Sequence, residues 1–435
     1  MDIMTKLSTQ PYKGTRDYYP EDKRVQNYIF DVWRRIVETY GYQEYSAPLL
    51  ESLEVYTAKS GEELAGEQTY TFTDRGDRTV AIRPEMTPSI SRMVAARRQD
   101  LGYPARLYSI ANFMRYERPQ RGREREFWQL NADIFGVDTM LADAEIIEMA
   151  DAMMKAFGAD ESMYVIRINH RALIDQIMHE YLGLDNDRSH KLIKLLDRKA
   201  KMPAEDFVAA AREVLGNDEL VVKLETLTTL QSIAELPEEL QASRGALELK
   251  ELFDWFDKAD MTNVIFDISL MRGFDYYTGM VFEMFDLHPD NNRSMFGGGR
   301  YDGLVGLFGV EPVATVGFAP GLTTTELFLR SHNLLPELHS STDIGIVIAD
   351  DSLAAALDVA RQLRREGLAV AVDITGRKLD KQLKAAVKNG IRTLVFIGSQ
   401  EVSENRYTVK DMITGDEQKL VVSDIVALAK IRHNT

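Results

Sequence analysis

The chain has 435 residues, of which 45% are hydrophobic and 28% charged, an ordinary globular composition with ample material for an apolar core. It contains no cysteine, which excludes disulfides and cysteine-ligated metals, and its seven histidines show no metal-ligand spacing. No run of about 18 apolar residues is present, so we expect no membrane span. The opening MDIMTKLSTQPYKGT lacks the apolar core of a secretion signal, and we therefore expect a cytoplasmic protein.

The net charge is −16, but it is unevenly distributed. Residues 342–435 carry 14 Lys and Arg against 13 Asp and Glu, whereas the remainder has a balance of −17. The C-terminal segment would therefore repel a polyanion less strongly than the rest of the chain does. Charge balance alone leaves open that this segment is simply a domain of different composition.

The first predicted element is a helix between Pro20 and Gly41, since proline favours the first helical turn and glycine a helix end. The sequence YQEYSAPLLES then predicts a strand and a turn, and YTFTD and TVAIRPE predict strands joined by RGDR. Apolar residues recur at helical spacing within the first helix at Val25, Ile29, Val32, Ile36, Val37 and Tyr40.

A helix is predicted over 87–98, followed by two strands, RLYSIANFMRYE and REFWQLNADIFG, on either side of a charged loop, PQRGRE. The stretch from His170 to about Trp255 is mostly helical in pattern and predicts a helical insertion. Strands return at NVIFDIS, MVFEMF, FGGGRYDGL and ATVGFA. Hairpin-connected strands with helices indicate an antiparallel α+β domain, and no Walker or GxGxxG loop is present.

A polar segment, SHNLLPELHSS, precedes DIGIVIA, LAVAVDI and IRTLVFIG, which alternate with helices predicted over 351–366 and 378–389. This alternation predicts a small, largely parallel α/β domain. The predicted organisation is a catalytic domain in two parts at 1–169 and 255–331, the insertion at 170–254, a linker at 332–341 and the C-terminal domain at 342–435.

Two polar constellations lie in the first part of the chain. In AIRPEMTP, a carboxylate at Glu85 could hold a substrate ammonium, although Thr87 before Pro88 also suits a plain helix start. In FMRYERPQRGREREFWQLNADIF, arginines offer planar forks for phosphate or carboxylate, or else form a solvated charged hairpin with the interspersed glutamates. These arginines are Arg115, Arg118, Arg121, Arg123 and Arg125.

Two further constellations lie in the second part. MRGFDYYTGMVFE combines an arginine, an aspartate and two tyrosines between glycines, groups that can recognise an imidazole or an amine by directed hydrogen bonds. The alternative is a turn with core tyrosines. GGGRYDGL supplies glycines that let a backbone pass close to a ligand, a weak signal on its own.

Together these motifs resemble the histidyl-tRNA synthetases, a family of class II aminoacyl-tRNA synthetases. The resemblance covers essentially the whole length, from KGTRDYYPED through the arginine-rich hairpin to RGFDYYTG and GGGRYDGL, in the family's order. It implies ATP-dependent activation of L-histidine to histidyl-adenylate, with Mg²⁺ entering with ATP, and transfer to histidine tRNA. It also implies a class II catalytic domain, an anticodon-binding C-terminal domain and a homodimer.

The resemblance implies a role for each matching residue. Arg115 and Arg272 would flank the α-phosphate, with Arg123 and Gly317 also at ATP. Glu85 and Gln129 would bind the α-amino group, with Met86 and Thr87 beside them. The imidazole would be read by Asp133, Tyr276 and Tyr277, and the tRNA acceptor end would be reached by Arg118 and Arg121.

The chemistry agrees with these roles. The histidine carboxylate attacks the α-phosphate while pyrophosphate leaves, so two fixed arginines bring the anions together and stabilise the charge that develops. No protein nucleophile or general base is needed, because the substrate carboxylate is already ionised. A pocket that hydrogen-bonds a polar side chain rejects apolar competitors by a factor on the order of 10⁴, so no editing domain is expected.

One departure concerns the usual third motif, which ends with an arginine at the γ-phosphate. Here VGFAPGLTTTELFL places Thr323, Thr324 and Thr325 in that region. Either another cation holds the γ-phosphate, or the chain is a regulatory paralogue that senses histidine, such as the synthetase-like subunit of ATP phosphoribosyltransferase. Retention of both histidine segments and of the C-terminal domain favours the active enzyme.

Basic residues of the C-terminal domain recur at helical spacing around the helix predicted over 378–389. Such a face suits anticodon-stem phosphates, although a solvated amphipathic face has the same pattern. The residues predicted to contact tRNA there are Arg377, Lys381, Lys384 and Lys388.

The roles drawn for Arg272 generate a first prediction. Replacing Arg272 with alanine should suppress adenylate formation far more than histidine binding, because its charge is needed most when the pentavalent phosphate forms. Pyrophosphate exchange and histidine binding by calorimetry check this. Equal loss of both would contradict a transition-state role.

Overall fold

The computed structural model describes residues 7–58, 63–199, 202–270, 276–291 and 293–433. The chain divides into two compact units, Met1–Leu335 and Pro336–Thr435. The described helices are α1 Pro20–Thr39, α2 Glu54–Thr57, α3 Thr87–Ala96, α4 Met140–Ala156, α5 Arg171–Gln176, α6 Asn186–Leu196, α7 Ala204–Leu215, α8 Asp218–Leu227, α9 Glu238–Gln241, α10 Arg244–Lys258, α11 Leu322–Ser331, α12 Leu353–Arg365, α13 Leu379–Lys388, α14 Ser399–Glu404 and α15 Val422–His433.

The strands of the first unit form two sheets and those of the second unit form one. In the first unit they are β1 Gln43–Glu44, β2 Leu50–Ser52, β3 Thr71–Thr73, β4 Thr79–Ile82, β5 Ala105–Met114, β6 Glu126–Phe135, β7 Tyr164–His170, β8 Val264–Phe266, β9 Met280–Asp286, β10 Ser294–Arg300 and β11 Thr315–Phe318. In the second unit they are β12 Ile344–Ile348, β13 Val370–Val372, β14 Thr393–Ile397, β15 Tyr407–Asp411 and β16 Glu417–Leu420.

The predicted first helix is confirmed as α1. Pro20 occupies its first turn, the backbone N–H of Tyr19 donates to Asp22 at 3.3 Å, and Gly41 takes a positive φ just beyond its end. Acidic residues in the first turn complement the helix dipole. The apolar stripe buries one face of the helix, including Ile29 and Trp33.

The large sheet has eight strands within the described residues, in the order β1-β5-β6-β11-β10-β9-β7-β8. Its neighbours are antiparallel except at the two edges, where β1 pairs with β5 and β8 with β7 in parallel. The fold is therefore the α+β architecture with an antiparallel sheet that the sequence predicts. The ten-residue hairpin β5–β6 runs in unbroken register and brackets the arginine-rich loop, as expected.

Between β7 and β8 the described chain is helical, from α5 to α10. The predicted insertion boundary at 254 falls inside α10, which packs against α4 of the sheet domain as well as against α5. A buried ion pair ties this region of the sheet domain together, because Arg300 at the end of β10 binds Asp143 of α4. The extent of the insertion stays a prediction.

The second unit is built around the sheet β13-β12-β14-β15-β16. Strands β12, β13 and β14 are parallel, as predicted, but β15 and β16 form an antiparallel hairpin that extends the sheet. The hairpin turns through Gly415, whose φ is +80°, and the N–H of Asp411 donates to the carbonyl of Asp416. The expectation of a largely parallel sheet is therefore replaced by a mixed one. Within the described residues, no helix combines the length and apolarity that crossing a bilayer requires.

Candidate active site

A cavity of about 380 Å³ opens on the large sheet of the first unit. Its walls come from β6, β9, β10 and β11, from the loop after β5 and from the first turns of α3 and α11. The cavity brings together predicted residues that are far apart in sequence. Those that line it are Glu85, Thr87, Arg115, Arg123, Gln129, Asp133, Tyr276, Tyr277 and Gly317.

Arg115 directly follows β5 and is held from two sides. Its backbone N–H donates to Arg125 at 2.8 Å, and its Nε donates to the carbonyl of Pro84 at 2.9 Å. The guanidinium carbon lies 5.2 Å from the centre of the Phe127 ring. These contacts fix the plane of the fork, and among the described residues no hydrogen bond from its remaining N–H groups is seen, so they can point to an anion in the cavity.

The AIRPEMTP segment divides into a structural and a cavity-facing part. Arg83 is buried and donates to the backbone carbonyls of Ala47 and Asn112 at 2.8 and 2.9 Å, so it supports the fold. Glu85 is only 7% exposed and lines the cavity together with Thr87. The predicted helix start is confirmed, because α3 begins at Thr87 with Pro88 in its first turn, so this segment both starts a helix and contributes to the cavity wall.

Met86 does not line the cavity. Its side chain is fully buried in an apolar cluster with Ala47, Ala111 and Phe113. The side chain of Met86 therefore gives no support to the prediction that this residue binds histidine, which stays a prediction. Met86 immediately precedes α3, with φ −97° and ψ −29°, and its side chain packs in the core while its neighbours Glu85 and Thr87 line the cavity.

The arginine-rich loop separates into residues with three different environments. Arg125 is buried, where its Nε donates to the Glu117 carbonyl at 3.1 Å and its guanidinium stacks on Tyr116 at 4.1 Å. Arg123 lines the cavity and forms an ion pair with Glu117. Arg118 and Arg121 are exposed and lie outside the cavity lining.

Asp133 is the most deeply buried acidic group of the cavity. It is 5% exposed, and the hydroxyl of Tyr301 donates to its Oδ1. Burial raises the pKa of Asp133 to about 7, while the hydrogen bond from Tyr301 acts in the opposite direction. Gly317 lies opposite Asp133 in the β6–β11 register, and a Cβ on this glycine would lie 2.0 Å from Oδ1.

Tyr276 and Tyr277 form a compact aromatic wall beside Asp133. Their ring centres are 4.8 Å apart, and Tyr276 also lies 6.0 Å from the Tyr301 ring. Burial raises the pKa of both phenols, so both remain neutral donors near neutral pH. Gln129 donates to the Ala319 carbonyl at 3.1 Å, which orients its side-chain oxygen.

Arg272 belongs to the segment 271–275, which lies outside the described residues, so its predicted position opposite Arg115 stays a prediction. The threonines that replace the third-motif arginine begin α11. The hydroxyl of Thr323 donates to Glu124 at 3.0 Å, and that of Thr324 donates to the Met295 carbonyl at 2.8 Å. Thr325 is buried and donates to the Gly321 carbonyl at 2.9 Å.

Sequence reasoning missed several residues of the cavity wall. Tyr301 lies within GGGRYDGL, a motif in which only the glycines carry a role predicted from the sequence. Glu283 is flanked on both sides by apolar residues within β9, and a charge inside a largely buried strand is a signal of a functional position. Phe127 lies in β6 and looks like an ordinary strand residue in the sequence. Its position beneath the Arg115 guanidinium depends on the pairing register of β5 and β6.

The sheet order and a cavity that gathers fixed arginines, buried carboxylates and phenols together define a class II aminoacyl-tRNA synthetase. The family described as Histidyl-tRNA synthetase matches residues 14–324, and the one described as Anticodon binding domain matches residues 343–431. The chain belongs to the histidyl-tRNA synthetase family.

Curated relatives match along nearly the whole chain. The Histidine--tRNA ligase of Leptospira biflexa is 43% identical over 98% of both chains. The Histidine--tRNA ligase of Thermococcus kodakarensis is 36% identical over 94% of this chain and 95% of its own.

Solved structures agree with the fold. The histidyl-tRNA synthetase of Nostoc sp. PCC 7120 has a TM-score of 0.84 and 25% identity, covering 98% of this chain and all of that one. An ATP phosphoribosyltransferase regulatory subunit/histidyl-tRNA synthetase from Bacillus halodurans C has a TM-score of 0.74 at 24% identity, covering 91% of this chain and all of that one. The second likeness is one of fold alone.

The contact between Gly317 and Asp133 generates a prediction. A Gly317→Ala variant should raise KM for histidine at least about tenfold, because the added methyl displaces the Asp133 carboxylate from its buried position. Steady-state pyrophosphate exchange at varied histidine measures this.

Gly102→Ala is the matched control, since a Cβ at Gly102 meets no atom within 4 Å. If Gly317→Ala folds and its KM for histidine is unchanged, histidine binding does not depend on the position of the Asp133 carboxylate.

Proposed function

We propose that this chain is a histidine–tRNA ligase that activates L-histidine with ATP and then transfers it to the 3′ end of histidine tRNA. The observation that carries the proposal is the cavity in which a fixed arginine, Arg115, faces buried carboxylates and paired phenols. Membership of the histidyl-tRNA synthetase family supports the same reaction.

The amino-acid end of the cavity suits histidine. Glu85 and Gln129 would hold the α-ammonium group with Thr87 beside them. Asp133 with the phenols of Tyr276 and Tyr277 would hydrogen-bond the imidazole. Each of these groups lines the cavity, and the burial of Glu85 and Asp133 strengthens their directed hydrogen bonds relative to exposed ones. An apolar side chain of similar size would leave these polar groups unpaired.

The nucleotide end would use the arginines. Arg115 would bind the α-phosphate and the histidine carboxylate, Arg272 would act from the other side, and Arg123 and Gly317 would contact ATP. In the reaction, a carboxylate oxygen of histidine forms a bond to the α-phosphorus and the bond to pyrophosphate breaks. The held arginine needs little reorganisation as negative charge develops, which is the condition for a large electrostatic contribution.

Mg²⁺ would enter with ATP and neutralise part of its charge. Glu117 and Glu124 place carboxylates on the cavity wall, and oxygen ligands of this kind suit the ion. Arg123 forms an ion pair with Glu117. When the Arg123 side chain moves to bind a phosphate of ATP, the Glu117 carboxylate would become free to bind Mg²⁺. The third-motif threonines would leave the γ-phosphate to Mg²⁺ and the loop arginines.

The histidine-sensing regulatory alternative is not favoured. The chain matches an anticodon-binding domain over 343–431, which a pure sensor of histidine does not require. The curated relatives that match its full length are ligases by name.

A homodimer in the cytoplasm is part of the proposal. Three large apolar side chains on or beside the small sheet β2-β4-β3 are each 45% exposed, a pattern that suits burial against a second copy. They are Leu49, Leu50 and Phe72. Cytoplasmic location follows from a role in translation.

Pyrophosphate exchange tests the function. The purified chain should exchange labelled pyrophosphate into ATP only when histidine is present, and should then charge histidine tRNA. Arg115→Ala should lower the exchange rate by at least about 100-fold, as loss of a transition-state contact does. Histidine binding without exchange by the unaltered chain would favour the sensor instead.

The tRNA contacts would come from two places. Arg118 and Arg121 are exposed on the loop beside the cavity, where an acceptor end would approach. In the second unit, Lys381, Lys384 and Lys388 are exposed on α13 and form no recorded ion pair within the described residues. Predicted tRNA contact Arg377 is instead paired with Asp373 at 2.5 Å, so a phosphate would have to compete for it.

Charge reversal at α13 gives a separable prediction. Lys381→Glu with Lys384→Glu should raise KM for tRNA about tenfold or more, because phosphate contacts are lost and repulsion is added. Histidine-dependent exchange should be intact. Charging kinetics at two salt concentrations measure the effect.

Arg361→Glu with Arg365→Glu on α12 changes the charge of the same unit equally and controls for net charge. A fall in exchange matching the fall in charging would argue that the unit is not a separable tRNA reader.

A further inference from the structure

Tyr301 is a cavity residue without a role in the function proposed above. It directly follows β10 and is 2% exposed. Its backbone N–H donates to the carbonyl of Thr315 in β11 at 2.8 Å, and β11 pairs with the β6 strand that carries Asp133. Tyr301 and Asp133 are therefore connected through the backbone by one intervening strand, β11, as well as through their side chains.

The hydroxyl of Tyr301 donates to Oδ1 of Asp133 across 168 positions of sequence. A phenol has one O–H, so this bond leaves Tyr301 without a proton to donate to a ligand. Within the described residues, Oδ2 of Asp133 has no recorded hydrogen-bond donor, while the side chain lines the cavity. One carboxylate oxygen is therefore held by the protein, and the other has no donor among the described residues although its side chain lines the cavity.

This division of the carboxylate suits a neutral imidazole, which has one N–H donor and one nitrogen acceptor. Oδ2 can accept the ring N–H. The phenols of Tyr276 and Tyr277 are hydrogen-bonded to each other, so one O–H of this pair remains to donate to the other nitrogen. An ionised Asp133 is required for this arrangement, because a protonated carboxyl would present an O–H in competition with the ring.

We propose that Tyr301 is a positioning residue for histidine recognition, holding the carboxylate of Asp133 ionised and oriented so that its free oxygen accepts the imidazole N–H. The proposal rests on the function proposed above and adds a specificity residue to it. Tyr301 acts through Asp133 and does not itself touch the substrate.

The charge state of Asp133 is governed by its surroundings. Its pKa is raised to about 7, because burial raises it by more than the hydrogen bond from Tyr301 lowers it. The phenols that interact electrostatically with Asp133 have pKa values raised by burial, so all of them are neutral near neutral pH and Asp133 is the one member of this group that titrates there. These phenols are Tyr42 and Tyr45 on either side of β1, Tyr277 before β9 and Tyr301 after β10.

Tyr301→Phe removes the hydroxyl while keeping the buried ring. Loss of a bond that favours the ionised form raises the pKa of Asp133, so a larger fraction is protonated at any pH near 7. We expect KM for histidine to rise about tenfold at pH 7 with little change in kcat and in KM for ATP. The acid limb of the kcat/KM profile for histidine should move to higher pH. The free histidine substrate has the same pKa in the measurements on the unaltered chain and on Tyr301→Phe. A displaced acid limb therefore reflects a changed pKa of a group on the enzyme.

The fold offers a matched control. Tyr164 of β7 donates to Oδ1 of Asp151 in α4 at 2.6 Å, a second buried tyrosine–aspartate pair outside the cavity lining. Tyr164→Phe should lose thermal stability as Tyr301→Phe does, but should leave the histidine KM and the pH profile unchanged. This separates positioning from support of the fold.

A double-mutant cycle isolates the pair. In an Asp133→Asn background, which has no carboxylate to hold, Tyr301→Phe should change the histidine KM by less than about twofold. An equal effect of Tyr301→Phe in both backgrounds, or an unshifted pH profile in the single variant, would overturn the proposal. Absence of histidine-dependent exchange in the unaltered chain would instead overturn the underlying function, so the two failures are distinguishable.

Discussion

Close backbone contact at the centre of the eight-stranded sheet is the constraint on which the site depends. A Cβ on Gly298 would lie 2.1 Å from the Gly317 carbonyl, and one on Gly297 would lie 2.5 Å from that of Phe282. Strand β10 therefore requires glycine at these two positions. The missing side chains leave room over the sheet, and this room is part of the cavity in which Asp133 is buried.

Burying polar groups in that space demands compensation, because an unpaired buried carboxylate or phenol is costly. The chain meets this demand by pairing. Asp133 receives the Tyr301 hydroxyl, Arg123 pairs with Glu117, and Arg115 is anchored on a backbone carbonyl. Groups held in this way are already oriented when substrate arrives, so binding energy is not spent on ordering them. This pairing also affects the titration of the site, because the pKa of Asp133 depends on its burial and on the hydrogen bond from Tyr301.

The arginines show how far a residue type can be interpreted from sequence. Arg83, Arg125 and Arg300 are buried and satisfy backbone carbonyls or a buried aspartate, whereas Arg115 and Arg123 face the cavity. A guanidinium suits both tasks equally well, and spacing along the chain does not distinguish them. The family motif assigns ATP contacts to Arg115 and Arg123, and both line the cavity. It also selected Met86, whose side chain lies in the core.

Local patterns determined the helices, the long β5–β6 hairpin and the two-unit organisation, because hydrophobic period and turn residues act over a few positions. The ordered motifs also determined the family. Tertiary structure alone decided the strand order, the antiparallel extension of the second sheet and the buried pair of Tyr301 with Asp133. That pair joins residues from strands that lie next to a common neighbour in the sheet but far apart in the chain. Such contacts depend on which strands meet and on which side each faces, and neither is encoded in a short stretch of sequence.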